Sequence, residues 1–369
     1  MKKIISLFLV LLLSIPFLNG CGYEYQYMDL ELLGDYNRPE LVGTTLNVYN
    51  WGEYISDGSE DAIDVVREFE ALTGIKVNYS TFDSNESMYS LIKYGGVSYD
   101  IIFPSDYMIE RLKNENMLQK IDYSHLSNYH FINEEYKGLY FDPNNEYTVP
   151  YSVGMVGLIY NTSIVKETPD SWSIMWDEKY KDDILTFNNP RDTFAIAQFL
   201  LGQDLNTNNP SDWKAAADKL KEQKSVLQAY VMDEVYNKME SGSAAIAPYY
   251  AGDYLSMVDN NEDLAFVYPK EGVNIFVDAA CIPTTASNLE AAHLFLNFLL
   301  EPKIALANAE FICYASPNTA VTENPDYYYY KDEILYPAEN KKPKTQYFRD
   351  MSKETREYYD RLWQEVKLY

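Results

Sequence analysis

The sequence predicts an α/β protein of two lobes, and three observations carry that reading. Between residues 44 and 103 the pattern runs strand, helix, strand, helix, strand, which calls for a parallel sheet wrapped by helices. A segment at 142–151 leads out of this unit into a second set of strands and helices, and a segment at 274–278 leads back. The length, 369 residues with 47% hydrophobic content, suffices for two domains of common size.

The first strand, 44–51, alternates: Leu46 and Val48 point one way, Asn47, Tyr49 and Trp51 the other. A helix over 62–72 follows, with Ile63, Val66 and Phe69 at three-residue spacing. Ser59 is suited to cap it, Glu60 and Asp61 to its positive end, and Gly74 to its termination. A strand at 75–79, a helix at 84–93 and a short apolar strand at 100–103, closed by Pro104, complete the first unit. In open sheets of this kind ligands bind beyond the carboxyl ends of the strands. Those ends offer Asn50, Trp51, Glu53 and Tyr54, then Ser80, Thr81, Phe82 and Asp83, then Ser105, Asp106 and Tyr107. One rim thus collects aromatics, hydroxyls and carboxylates.

In the second unit, 156–161 reads as a strand. Pro190 suits a first helical position with Asn189 as its cap, ahead of an apolar run at 194–201. Helices are predicted at 211–223 and 231–240, and strands at 244–247 and 265–268. The strand at 244–247 ends at Pro248-Tyr249-Tyr250-Ala251-Gly252-Asp253. Helices at 290–300 and 351–366 close the chain. The tyrosine run 327–330 has no functional reading at this level.

The N-terminus reads as a targeting segment. Lys2 and Lys3 precede an apolar run over 4–18 that is shorter than the roughly 20 residues of a spanning helix. Leu18-Asn19-Gly20-Cys21 resembles a bacterial lipobox, with Cys21 as the lipidated first residue of the mature chain. Residues 21–43 show little periodicity and read as a mobile spacer between lipid and domain. The formal charge is −26; without Lys2 and Lys3, 28 basic residues face 56 acidic ones, a net −28. Such a surface repels nucleic acid and attracts cations. Three His without Cys neighbours argue against zinc. Cys281 and Cys313 either pair in one disulfide or remain buried thiols.

Several motifs together resemble the periplasmic spermidine/putrescine-binding proteins of polyamine ABC transporters. They are Val48-Tyr49-Asn50-Trp51-Gly52-Glu53-Tyr54, Thr73-Gly74-Ile75-Lys76-Val77, Tyr79-Ser80-Thr81-Phe82-Asp83, Pro104-Ser105-Asp106-Tyr107, Tyr147-Thr148-Val149-Pro150-Tyr151, Tyr268-Pro269-Lys270-Glu271-Gly272 and Asn297-Phe298-Leu299-Leu300. The resemblance runs from about Thr44 to the C-terminus. It implies a two-lobe periplasmic-binding-protein-like fold of type II, with a mixed central sheet in each lobe and hinged crossover segments. The expected division is a signal at 1–20, the spacer at 21–43, lobe 1 at 44–150 and 278–320, and lobe 2 at 151–277 and 321–369. It further implies no catalysis and no cofactor, a polyamine ligand, ABC permease subunits as partners, a monomer, and a lipid-anchored, extracytoplasmic location.

Carried over position by position, Trp51 and Tyr54 match the family's first aromatic pair, and Ser105 and Tyr107 the next. Asp278 matches the carboxylate that binds an amine. Asp192 stands where the family often has Glu, and Asn189 where it has Asp. Tyr250 and Phe276 stand where Trp is typical, and Gln346 matches a C-terminal Gln. Read on their own, Trp51 belongs on the polar side of its strand, whereas Ser105 and Asp192 also suit helix N-termini, and Tyr250 and Phe276 also suit plain packing. Asp278 lies between the apolar Val277 and Ala279, which calls for a specific partner. Other readings are a binding protein for another small cation, a polyamine sensor, and an exported hydrolase. The hydrolase lacks a Gly-x-Ser-x-Gly elbow, a His-Glu-x-x-His pair and a phosphate loop.

Overall fold

The first layer is built as the alternation predicts, from β1 (Thr45–Trp51), α1 (Val65–Thr73), β2 (Lys76–Phe82), α2 (Asn85–Tyr94), β3 (Ile101–Ile102) and α3 (Asp106–Asn114). The structure is a computed structural model describing residues 30–59 and 62–369. The strands lie in the order β2-β1-β3, all parallel. Leu46 and Val48 of β1 are fully buried together with Phe69 of α1, as their shared face requires. Gly74 closes α1 in the left-handed conformation, at φ +70°. Helix α1 starts later than its periodicity suggests, because Asp64, not Ser59, caps it by accepting the Arg67 N–H. Glu60 and Asp61 lie outside the described residues.

The crossing segment and the strand expected after it are one element, β4 (Val149–Asn161), which is buried along nearly its whole length. The chain continues through β5 (Ile184–Phe187), α4 (Pro190–Leu200), α5 (Pro210–Gln223), β6 (Leu227–Val231), α6 (Glu234–Glu240), β7 (Ile246–Tyr250), α7 (Ala251–Val258), β8 (Leu264–Val267) and β9 (Val273–Ala280). It ends with α8 (Leu289–Leu299), α9 (Pro302–Ile312), α10 (Thr319–Thr322), β10 (Thr345–Gln346) and α11 (Lys353–Leu368). The second sheet runs β10-β9-β4-β7-β5-β6, with β8 also paired to β4. Here β4 is antiparallel to β7, β8 and β9, while β5 is parallel to β6 and β7. Beyond β9, Cys281 forms an antiparallel bridge with Ile102, and Ser105 forms one with Asp278. The chain leaving β9 therefore runs along the edge of the small sheet through isolated bridges; the large sheet is mixed, and the three named strands of the small one are parallel.

One expectation needs correction, and one open alternative is decided. Residues 30–43, read as spacer, are bound to the body: Leu30, Tyr36 and Leu41 are buried beside Phe298 and Val48. Three well-placed apolar residues are enough to dock a segment that has no periodicity. Cys21, residues 22–29 and the apolar run 4–18 lie outside the described residues. Second, Cys281 and Cys313 are separate buried thiols, not a disulfide. The tyrosine run is a packing device: Tyr327 meets Tyr329 and Tyr336 edge-on, and Tyr329 Oη donates to Cys313 Sγ at 3.0 Å.

Candidate ligand-binding cleft

Parallel pairing aims the carboxyl ends of β1 and β3 at the cleft from one side, while β5 and β7 bring Asn189 and Tyr250 from the other. Between them β9 delivers Asp278, whose side chain is almost wholly buried. Tyr54 Oη donates to Asp278 Oδ2 at 2.7 Å, and Oδ1 has no hydrogen-bond partner. Burial pushes the Asp278 carboxyl up to about 6, against the lowering effect of the Ser105 and Tyr54 hydroxyls. Tyr54 is held by its own loop, since its carbonyl accepts from Tyr151 Oη at 2.8 Å and from Asn50 Nδ2 at 3.3 Å. Ser105 occupies the N-cap position of α3, yet its hydroxyl does not cap the helix. Its N–H and Oγ are both engaged by the Asn85 amide at 3.1 Å.

At the other end Asp192 lies in the first turn of α4 and is 5% exposed. Its Oδ2 accepts from Tyr250 Oη at 2.9 Å and from Asn189 Nδ2 at 2.7 Å. Burial again raises this carboxyl to about 6, opposed by the Tyr250 hydroxyl and the neighbouring Arg191 charge. Asn189 is the N-cap, its oxygen taking the Arg191 N–H at 2.9 Å. The amide that replaces a second carboxylate thus spends its donor on Asp192. A third carboxylate, Asp253 at the start of α7, accepts from Tyr236 Oη at 2.5 Å and Tyr314 Oη at 2.8 Å. Burial lifts it to about 6 as well, and no Lys or Arg steadies either Asp253 or Asp278.

Aromatic faces join these carboxylates. Tyr54, Ile312 and Tyr314 form a buried cluster against which Trp51, Tyr151, Tyr250 and Phe276 are packed. Tyr250 meets Phe276 at 5.5 Å, and Phe276 meets Tyr314 at 6.1 Å. The Phe276 ring lies over Gly154 of β4, where a Cβ would come within 2.2 Å of its tip. Trp51 stacks obliquely on Phe82 at 4.5 Å, and its buried indole N–H has no partner.

Eight of the ten expected cleft positions therefore adjoin one another: Trp51, Tyr54, Ser105, Asn189, Asp192, Tyr250, Phe276 and Asp278. The other two sit at the margin of this group, Tyr107 beside Asn85 and the Asp192 turn and Gln346 at the edge of the large sheet. Tyr107 donates to Glu86 at 3.0 Å, and its ring faces the Arg191 guanidinium at 5.3 Å. Gln346 pairs with β9 in β10, and its side-chain oxygen takes the Leu205 N–H at 3.1 Å. Asp253 and Tyr314 were missed. The strand-end rule that singled out Trp51 also covers Asp253, three residues beyond the end of β7. Tyr314 carries no such signal. No group of three or more His, Cys, Asp and Glu among the described residues suits a metal ion, and no helix there is long and apolar enough to cross a membrane.

The bacterial extracellular solute-binding protein family matches residues 98–332. A spermidine/putrescine-binding periplasmic protein of Salmonella typhimurium is 34% identical over 86% of this chain and 91% of its own length. This chain belongs to the bacterial extracellular solute-binding proteins. A putrescine-binding periplasmic protein of Escherichia coli is 31% identical over 77% of this solute-binding protein and 83% of its own length. Among solved structures, a putative spermidine/putrescine ABC transporter protein of Listeria monocytogenes matches with a TM-score of 0.83 and 37% identity, covering 88% of this chain and 99% of that one. The fold is that of the type II periplasmic binding proteins, and the solute-binding protein is not an enzyme. Its family places it outside the cytoplasm.

Proposed function

We propose that the chain captures a polyamine, spermidine or putrescine, in the cleft and delivers it to an ABC permease. The observation that carries this reading is the set of three carboxylates, Asp192 and Asp278 buried and Asp253 half-buried, of which Asp253 and Asp278 have no basic neighbour among the described residues, joined by aromatic faces. A buried carboxylate is costly until an opposite charge reaches it. A polyamine brings ammonium groups separated by methylenes. Each ammonium over a Tyr or Trp face gains roughly 0.5–2 kcal/mol, and the methylenes cover the rings. The hydroxyls of Tyr54, Tyr250 and Tyr314 hold the carboxylates until the ligand arrives.

The finer reading has four parts. Trp51, Tyr54, Ser105, Tyr107, Asn189, Asp192, Tyr250, Phe276, Asp278 and Gln346 grip the ligand. Residues 44–150 with 278–320, and 151–277 with 321–369, form lobes that close on it, hinged where β4 and β9 cross. Cys21 carries the lipid anchor. The protein acts as a monomer. Calorimetric titration of the domain lacking residues 1–29 tests the central claim, using putrescine, spermidine, spermine and a neutral diamine analogue. Heat and a raised melting temperature are expected with the polyamines and not with the neutral analogue. No response to any polyamine would overturn the reading.

A further inference from the structure

Glu301 lies at the corner between α8 and α9 and is 1% exposed. Among the described residues its carboxylate meets no Lys or Arg. It collects four donors instead: Leu33 N at 2.9 Å, Gly34 N at 2.7 Å, Tyr36 Oη at 2.6 Å and Asn128 Nδ2 at 2.8 Å. Three of the four come from the stretch that precedes β1. Tyr36 is buried, stands edge-on to Phe298 at 5.5 Å, and also accepts from Asn297 Nδ2 at 3.1 Å. Gly34 is pressed so close that a Cβ would come within 2.8 Å of the Asn297 amide and the Tyr36 hydroxyl. Leu30 is buried just upstream, and Lys303 reaches Glu31 at 3.2 Å.

We propose that this Glu301 clamp sets how the body is presented to the lipid surface, by shortening the tether and choosing the face that looks toward the membrane. The proposal rests on lipid attachment at Cys21. Nine residue steps separate Cys21 from Leu30, a reach of at most about 30 Å, whereas the 24 steps to Thr45 would allow about 80 Å. A shorter tether confines the body to a smaller volume and so raises its effective concentration at a membrane-bound partner. Because the clamp grips the corner of α8 and α9, that corner is held next to the lipid.

The test uses the full-length lipoprotein reconstituted in phosphatidylethanolamine/phosphatidylglycerol vesicles carrying a headgroup energy-transfer acceptor. A donor dye is placed at Glu40→Cys, four residues past Tyr36, or at the exposed Lys214→Cys on α5. Transfer is expected to be stronger from position 40 than from position 214. The contrast should fall at least about twofold in Glu301→Gln and in Tyr36→Phe, with the Leu33 and Gly34 amides exchanging on the order of tenfold faster in both. Tyr36→Phe keeps the packed ring, so it reads the clamp even where Glu301→Gln disturbs folding. An unchanged contrast in folded variants would overturn the clamp. Vesicle flotation is read separately: protein that fails to float removes the anchor at Cys21, and the orientation claim falls with it.

Discussion

A carboxylate buried without a cation is a liability to the empty protein and an asset to the loaded one. Asp192, Asp253 and Asp278 are each held near 6, about two units above an unfolded Asp. Below about pH 4 both states are protonated, and these groups leave stability unchanged. Between about 4 and 6 the unfolded chain gives up its protons first, so stability falls as pH rises, and the full penalty is present above about 6. Each group then costs on the order of 2–3 kcal/mol. The ligand-free protein is therefore expected to melt at a higher temperature at about pH 5 than at about pH 7, while polyamine affinity moves the opposite way. Calorimetry at both pH values checks the pair of trends; parallel trends would contradict the assignment. Asp278→Ala should weaken binding by 30-fold or more, roughly 2–5 kcal/mol, because it leaves an ammonium buried without its anion. Lys270→Ala should change affinity by less than about twofold, since its pair with Asp170 is solvent-exposed at 62% and 75%. Asp278 was legible from its match to the family's amine-binding position and from its place between the apolar Val277 and Ala279, which argues against a merely solvated carboxylate. The engagement of Gln346 by Leu205 was not, since nothing local in either segment announces a hydrogen bond across 141 residues.

At the scale of elements, the junction of β7 and α7 shows what periodicity reveals and what it hides. Tyr250 ends the strand and Ala251 begins the helix with no loop between them, so the sequence pattern ended the strand at 247 and did not show the helix. The second helical residue is Gly252, where a Cβ would lie 2.4 Å from the Tyr314 ring and 2.7 Å from the Cys313 carbonyl oxygen. That carbonyl belongs to the backbone, which cannot move aside cheaply. Gly252→Ala should therefore destabilise the fold by about 1–3 kcal/mol and weaken binding by displacing Tyr314. Urea denaturation and titration of the same variant would show it, and an unperturbed variant would mean the contact is looser than the geometry indicates. Long amphipathic helices such as α5 and α11 were readable from spacing alone. The four-residue strand β5 was not, because a short run buried on both faces has no alternation to detect. The start of β4 was hidden for a related reason, its pattern being continuous burial.

At the scale of the whole molecule, one strand pair of the large sheet reaches the edge of the small one, to which isolated bridges tie it. The β4–β9 ladder runs from Val149–Ala280 at the small sheet to Met155–Ile275 in the large one, with a register shift between Pro150 and Ser152. A bulge of this kind bends a strand locally. Asp278 stands opposite Ser152, immediately beyond the irregularity, so a change of angle there moves the Asp278 carboxylate relative to both rims. The two-lobe plan was legible from the order of elements. The docking of residues 30–43 was not, because it depends on a carboxylate 265 residues downstream of Tyr36.

Trp51 has one more consequence, which is optical. Of the five Trp, the indoles of Trp172, Trp176 and Trp213 donate to the Gly272, Lys219 and Thr207 carbonyls in the body of the protein. The Trp51 indole has no such partner and faces the cleft's aromatic cluster. Polyamine capture is therefore expected to change the emission colour or intensity of Trp51 above all others. In Trp51→Phe most of that signal should vanish while calorimetric heat, though smaller, persists. The empty cleft already carries its own lamp, positioned to report the arrival of a colourless ligand.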